Sequence, residues 1–271
     1  MVMLDICSRE EELSTPIKQR WVVKAGSNIL CNGGPLLLRD WMTQVKHLRK
    51  KHKIEIIWVT SGAIASAVER TSFKRSAKKS LSEKQALSAI GQPIVMDMYN
   101  LSLQALGMLG AQVLLTYDDL AMKKQRQNFV NTIHQLLKWG VLPILNENDA
   151  VATEEIKFGD NDSLSAKVAV QLKADRLVLL TDVDGVYDSD PRANHEAKLL
   201  HRIIGVDEKT LRLAKPGVKS KVGTGGMYSK LMAARHATKH GVETWIARGD
   251  SVKVLSKIAE NREIGTQIVR K

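Results

Sequence analysis

Asn146-Glu147-Asn148-Asp149-Ala150-Val151-Ala152-Thr153-Glu154-Glu155-Ile156-Lys157-Phe158-Gly159-Asp160-Asn161-Asp162 is the stretch on which the reading of this chain turns. It follows a short apolar run, Val141 to Leu145, and comes before another, Arg176 to Leu180, yet it carries six carboxylates and three carboxamides. A polar connection of this length in a compact domain is either a solvated surface loop or a binding loop. Taken alone it reads first as the solvated loop. What happens at the other strand ends of the chain reverses that reading.

Trp21-Val22-Val23-Lys24 is an apolar run that gives way to Gly26-Ser27-Asn28, which predicts a strand feeding a turn. Ile54 to Val59 is β-branched and continuous, as a buried parallel strand requires, and runs into Thr60-Ser61-Gly62. Ala111 to Thr116 and Arg176 to Leu180 read as further strands, the latter ending in Thr181-Asp182-Val183-Asp184-Gly185. Between them lie helical recurrences. Leu37, Leu38, Trp41, Val45 and Leu48 mark one over 36–51, and Leu87, Ile90, Ile94, Met98 and Leu101 are expected on the inner face of a second, with Pro93 kinking or restarting it. Gln127 to Trp139, stopped at Gly140, and Ser163 to Leu172 are two more. Pro143 is uncomfortable in a central strand, which weakens the expected pairing of Val141 to Leu145. Strands alternating with helices predict an α/β fold, a mainly parallel central sheet in a three-layer αβα sandwich. In such sheets ligands collect beyond the carboxyl ends of the strands, where the small and polar residues of this chain recur. The 146–162 stretch thereby becomes a binding loop.

Towards the carboxyl end, Val222-Gly223-Thr224-Gly225-Gly226-Met227-Tyr228-Ser229-Lys230 is a glycine loop opening a helix of Leu231, Ala234, Ala237 and Thr238. It reads as a phosphate cradle with Lys230 as an added point charge, or alternatively as a hinge with a solvated lysine. Strands at Val242 to Ala247 and Thr266 to Val269 flank a short helix at Val252 to Ile258. Neither glycine-rich turn has Walker spacing or a dinucleotide fingerprint.

With 271 residues, 44% of them apolar and 26% charged, the chain suits one large soluble domain, and no apolar window approaches a membrane span. Met1 to Arg20 lacks the apolar core of a secretory leader, and Cys7 and Cys31 have neither metal-ligand spacing nor disulfide density. A cytoplasmic address is the expectation. The net charge of +12 favours anionic partners, part of it in the basic run from Arg70 to Lys84, which reads as a solvated loop before it reads as an anion patch. Only 4% of residues are aromatic, too little stacking material for a nucleic-acid binder.

Four blocks together resemble the amino acid kinase family, most closely its members that phosphorylate the side-chain carboxylate of L-glutamate at the opening of proline synthesis. They are Val22 to Ser27, Val59 to Ala65, the 146–162 stretch through Ser165-Ala166, and Thr224 to Met227 with Lys230. Weaker similarity, including Lys84-Gln85, Gly91-Gln92 and Gln112 to Thr116, extends over roughly Trp21 to Gly265. The resemblance implies an amino-acid-binding half at about 21–175 and a nucleotide half at about 176–271, residues 1–20 being an extension. It leaves no room for the PUA domain that follows the kinase domain in many bacterial members. It implies catalytic roles for Lys24, Asp162 and Lys230, and acceptor contacts from Ser61, Asp149 and Asn161. Nucleotide contacts would come from Lys24, Thr181, Asp182, Thr224, Gly225, Gly226, Met227, Tyr228, Ser229 and Lys230. Asn28 and Tyr228 stand where small residues are usual in the family. ATP is implied as phosphoryl donor, with Mg²⁺ carried on its phosphates rather than in a protein site, and so are a homo-oligomer and feedback by proline. No nucleic acid and no membrane is implied as a partner.

The chemistry agrees with what the strand ends offer. A carboxylate nucleophile is already ionised at neutral pH, so no general base is needed, and lysines, glycines and small polar residues recur here rather than a Ser–His or Cys–His arrangement. The alternatives are another member of the family acting on a different carboxylate or phosphate acceptor, and a catalytically silent amino-acid sensor.

Overall fold

The computed structural model describes residues 16–71, 73, 80–151, 161–214 and 226–271. Eight strands form one sheet in the order β3-β4-β2-β1-β5-β7-β8-β6. They are β1 (Gln19–Ala25), β2 (Ile54–Val59), β3 (Gly110–Leu115), β4 (Leu142–Glu147), β5 (Arg176–Thr181), β6 (Arg202–Ile204), β7 (Glu243–Arg248) and β8 (Thr266–Val269). Six run parallel. β8 alone pairs antiparallel, with β7, and carries β6 alongside it in its own direction.

The side-chain period of two divides each central strand between two cores. Val22, Ile57, Val59, Leu177 and Leu179 face one layer of helices, while Trp21, Val23, Ile56, Trp58, Val178 and Leu180 face the other. The first layer holds α4 (Tyr117–Ala121), α5 (Lys123–Lys138), α6 (Asn161–Gln171), α7 (Glu208–Leu213) and α8 (Met227–Lys239). The second holds α1 (Ser27–His47), α3 (Leu81–Gln104) and α9 (Val254–Ala259). α2 (Ala63–Thr71) follows β2 and packs on α3. This is the expected αβα sandwich around a mainly parallel sheet.

Several expectations are sharpened or corrected. The helix expected from Leu36 is joined to an additional helical segment that starts at Ser27, and the two meet at a kink at Gly34, whose φ of 58° a side chain would resist, just before Pro35. α3 runs through Pro93 as one element, without a restart there. Its inner face is also not the one the spacing suggested. Leu87 is buried, but Ile90 and Leu101 are 41% and 70% exposed, and the buried stripe is Leu87, Ser88, Gly91, Gln92, Val95, Met96, Tyr99, Ser102 and Leu103. The reason is tertiary. Gly91 lies so close to α2 that a Cβ there would sit 1.8 Å from the carbonyl oxygen of Ala63, so the helix must turn this glycine inward.

Pro143 is accommodated because β2 pairs with β4 only over Ile144 and Leu145, after the proline has passed. β4 also continues two residues further than the apolar run, so Asn146 and Glu147 are buried strand residues rather than loop. Gly91→Ala should therefore be costly although both residues suit a helix. Forcing that methyl against backbone should lower stability by about 1–3 kcal/mol in urea unfolding. A neutral substitution would show that α2 and α3 can part without penalty.

Candidate active site

Lys24 is the penultimate residue of β1, a central strand of the sheet, and alternation sends it to the same side as Val22, towards α6 and α8. Asp162 is the second residue of α6, where the helix dipole favours a carboxylate. Lys230 lies in the first turn or so of α8, which packs against α6. The three meet. Lys24 Nζ is 2.8 Å from Asp162 Oδ1 and Lys230 Nζ is 3.1 Å from Oδ2, and all three side chains are withdrawn from water. Burial pushes the Asp162 carboxyl up, but the charges of Lys24 and Lys230, with hydrogen bonds from Lys24 and Ser229, outweigh it and bring the pKa down to about 2. Ser229 Oγ stands 2.8 Å from Oδ2 and 2.9 Å from the Gly226 carbonyl, so this residue from the glycine loop faces Asp162.

The neighbouring residue of α6 builds the second half of the site. The Asn161 carboxamide nitrogen donates to the Thr60 carbonyl at 2.7 Å, Ser61 Oγ at 3.0 Å and Asn146 Oδ1 at 2.7 Å. Asn146 Oδ1 also accepts from the Glu147 backbone N–H, which fixes it at the end of β4. Three residues on, Asp149 is buried and accepts from Ser88 Oγ at 3.2 Å. Burial raises the Asp149 pKa and the Ser88 hydrogen bond only partly offsets it. Among the described residues, Asn161 Oδ1 and Asp149 Oδ1 are buried acceptors without a hydrogen-bond partner. Two such acceptors call for a donor, and beside an anion the donor of choice is a cation.

Thr181 and Asp182 stand at the end of β5, one strand over from Lys24. Thr181 is buried and bonded to Asp182, while Asp182 is exposed and borders a pocket of about 140 Å³ with Ile29, Asn32, Gly33, Leu37 and Asp250. Further along the same loop, Asp184 is held between Arg248 Nε at 2.7 Å and the Tyr187 hydroxyl at 2.8 Å. Gly226 caps α8, Met227 packs into the core below, and Tyr228 is 41% exposed. Thr224 and Gly225 lie outside the described residues, as do Lys157, residues 72 and 74–79 of the basic 70–84 run, and residues 1–15.

Sequence reasoning thus named every charged member of the two clusters but not Thr60, Ser88, Asn146 or Tyr99, which hold them. Ser88, Gln92 and Tyr99 do leave a trace, as polar groups recurring down an otherwise apolar helix face.

Fold and site together define an open α/β sheet that gathers a lysine–aspartate–lysine centre and a set of buried acceptors at the carboxyl ends of its strands. The chain belongs to the amino acid kinase family, whose model matches residues 19–248. It is 42% identical over 252 residues to glutamate 5-kinase of Thioalkalivibrio sulfidiphilus, covering 92% of this chain and 66% of that one. It is 40% identical over 268 residues to glutamate 5-kinase of Clostridium acetobutylicum, covering 97% and 98%. The chain therefore spans about two thirds of the first relative and nearly all of the second. Its fold is shared with the UMP kinase of Bacillus anthracis, at a TM-score of 0.61 and 16% identity over 94% of this chain and 97% of that one.

Removing the central carboxylate leaves two buried lysines facing each other. Asp162→Asn should cost about 3–5 kcal/mol in stability as well as activity. Because the folded pKa lies below the ordinary 3.8, the stabilisation from Asp162 is present above that value and is lost as pH falls through about 2. Acid unfolding of the parent should show this loss and the variant should not. Matching acid profiles would remove the ion triad as a source of stability.

Proposed function

We infer that this chain transfers the γ-phosphoryl group of ATP to the side-chain carboxylate of L-glutamate, giving ADP and L-glutamyl 5-phosphate, the first step of proline synthesis. The observation that carries this reading is that consecutive residues of one helix start serve two clusters. Asp162 holds the lysines, and Asn161 joins the Ser61 and Asn146 loops. Relatives named glutamate 5-kinase support the choice of acceptor.

In this reading the substrate α-ammonium meets Asp149 and Asn161 Oδ1, the two buried acceptors that call for a cation. Ser61 adds a neutral polar contact. The side-chain carboxylate then lies towards Lys24. One carboxylate oxygen attacks the γ-phosphorus, the bond from phosphorus to the β,γ-bridging oxygen breaks, and ADP leaves with that electron pair. No proton has to move. Lys24 and Lys230 spread the charge of the transferring group, and Asp162 keeps both ammonium groups aimed at it. The starts of α1 and α8, capped by Gly26 and Gly226 without side-chain caps, offer backbone N–H groups to phosphate oxygens. Thr181, Asp182 and the segment from Thr224 to Ser229 take the remaining nucleotide contacts. Mg²⁺ would neutralise the phosphates. Asp182, exposed beside Asp250, supplies hard oxygen donors suited to its water shell.

The direct assay is purified protein with ATP, Mg²⁺, hydroxylamine and glutamate, aspartate or acetylglutamate, reading hydroxamate, with ADP release reading phosphate acceptors such as UMP. Hydroxamate with glutamate alone is expected. None with glutamate would sink the reading. Within it, Asp149→Ala should raise the glutamate KM about tenfold to a hundredfold, the loss of one charge-assisted contact of about 1.5–3 kcal/mol. Lys230→Ala should instead lower kcat. Since burial raises the Asp149 pKa, its ionised form costs the free protein stability above the ordinary 3.8. Asp149→Asn should thus unfold no more easily than the parent while binding glutamate poorly.

A homo-oligomer is part of the same proposal. The apolar residues left outside on α3, Ile90 and Leu101, together with Leu114 on edge strand β3, form a face that a second copy would cover. Leu101→Asp should shift the parent to a smaller species in sedimentation. An unchanged mass would move the interface elsewhere. L-Proline added to the assay tests feedback.

A further inference from the structure

Four polar side chains interrupt the apolar inner face of α3; Ser102 bonds back to the Met98 carbonyl of its own helix, and the other three end on the acceptor half of the site. Ser88 reaches Asp149, Gln92 reaches the Glu147 carbonyl at 3.4 Å, and Tyr99 reaches Thr60. The third is set as deeply as the first. Tyr99 is fully buried, and its hydroxyl lies 2.6 Å from Trp58 Nε1 and 3.0 Å from Thr60 Oγ1. An indole N–H can only donate, so the phenol accepts from Trp58 and gives its own hydrogen to Thr60. Thr60 in turn donates to the Ser61 carbonyl at 3.3 Å, while its own carbonyl accepts from Asn161. The direction of every bond in this relay is thereby set, from Trp58 to the Ser61 peptide. Burial pushes the phenol pKa well up, so the hydroxyl remains a donor at any working pH.

We propose that Tyr99 is a positioning residue for the acceptor, acting through Thr60 on the two groups, Ser61 and Asn161, that grip it. The proposal rests on the reading of Ser61 and Asn161 as acceptor contacts. Packing does not ask for the hydroxyl. The Tyr99 ring meets Trp58 edge-on with centroids 6.4 Å apart, an arrangement phenylalanine makes equally well. An apolar core would be simpler here, since every polar atom taken out of water must find a partner. What the relay adds is location: where the chain leaves the sheet, the Thr60 backbone N–H is tied to the Leu145 carbonyl of β4, and the relay holds the Thr60 side chain and through it the Ser61 carbonyl.

Tyr99→Phe tests this. The acceptor KM should rise about tenfold, with kcat and the ATP KM within about twofold of the parent. Thr60→Val, which removes the acceptor of the same bond, should do likewise, and the double variant should add little to either single one. Melting temperature will fall for Tyr99→Phe in any case, because the Trp58 N–H loses its acceptor, so lower stability with an unchanged acceptor KM would overturn the proposal. So would additive effects in the double variant, or equal rises in both KM values. The parent is assayed first. If it phosphorylates an acid other than glutamate, the glutamate reading fails at that point, and Tyr99 is judged on the KM of the acid it does use.

Discussion

Asp162 between Lys24 and Lys230 is the interaction on which the rest of this structure depends. Ion pairs withdrawn from water are expensive, and a carboxylate at the sheet's carboxyl edge repays its desolvation only because two ammonium groups reach it from different elements. The lysines come from β1 and α8, so α6 must lie across both, which its packing on α8 and on the apolar face of β1 secures. Two ammonium groups are thereby held in place around one carboxylate. That arrangement favours the arrival of an anion. It also costs no reorganisation when negative charge develops there, which is the electrostatic condition for moving a phosphoryl group.

The other cluster has the opposite sign. Burial raises the Asp149 pKa and disfavours its ionised form, with one serine hydrogen bond as relief, and Asn161 Oδ1 is buried without a hydrogen-bond partner among the described residues. Neither is a solution that stability alone would choose. In the proposed reading, ammonium groups and buried acceptors set side by side suit a ligand that is itself divided, with an ammonium group at one end and a carboxylate at the other. The two clusters thus explain each other better than either explains itself.

Much of this could be read without coordinates, and for a physical reason. Buried parallel strands are apolar on both faces, so Ile54 to Val59 and Arg176 to Leu180 announce themselves, and a charge placed where such a run stops, as Lys24 is, has few structural excuses. α3 was different, because its sequence carries two apolar stripes. Ile90, Ile94, Met98 and Leu101 compete with Leu87, Val95, Tyr99 and Leu103, and spacing does not choose between them. The contact of Gly91 with the Ala63 carbonyl does, and that contact exists only once α2 and α3 are packed. Turning the helix that way also brings Ser88, Gln92 and Tyr99 onto the site. Residues that look like noise in an apolar pattern are therefore the ones that reach the site. Asn146 and Glu147 were hidden by the converse error, polar residues that belong to a strand, and β6, at three residues, is too short to leave a pattern.

The polar 146–162 stretch ends in the pair that ties these threads together. Asn161 and Asp162 are adjacent on one helix, and adjacent helical residues differ by about 1.5 Å in rise and about 100° in direction. One is bound into the loops after β2 and β4, and the other is bound to lysines from β1 and α8. In the proposed reaction, the distance between an acceptor gripped by the first and a phosphoryl group faced by the second would be set by covalent geometry, not by a hinge or a flexible loop. A reaction between two anions gains most from having that separation fixed in advance, since repulsion otherwise keeps them apart and the entropy of bringing them together is large. The start of α6 is where the fold supplies it, and the hydrogen bonds from α3 through Thr60 extend the same rigidity one layer outward.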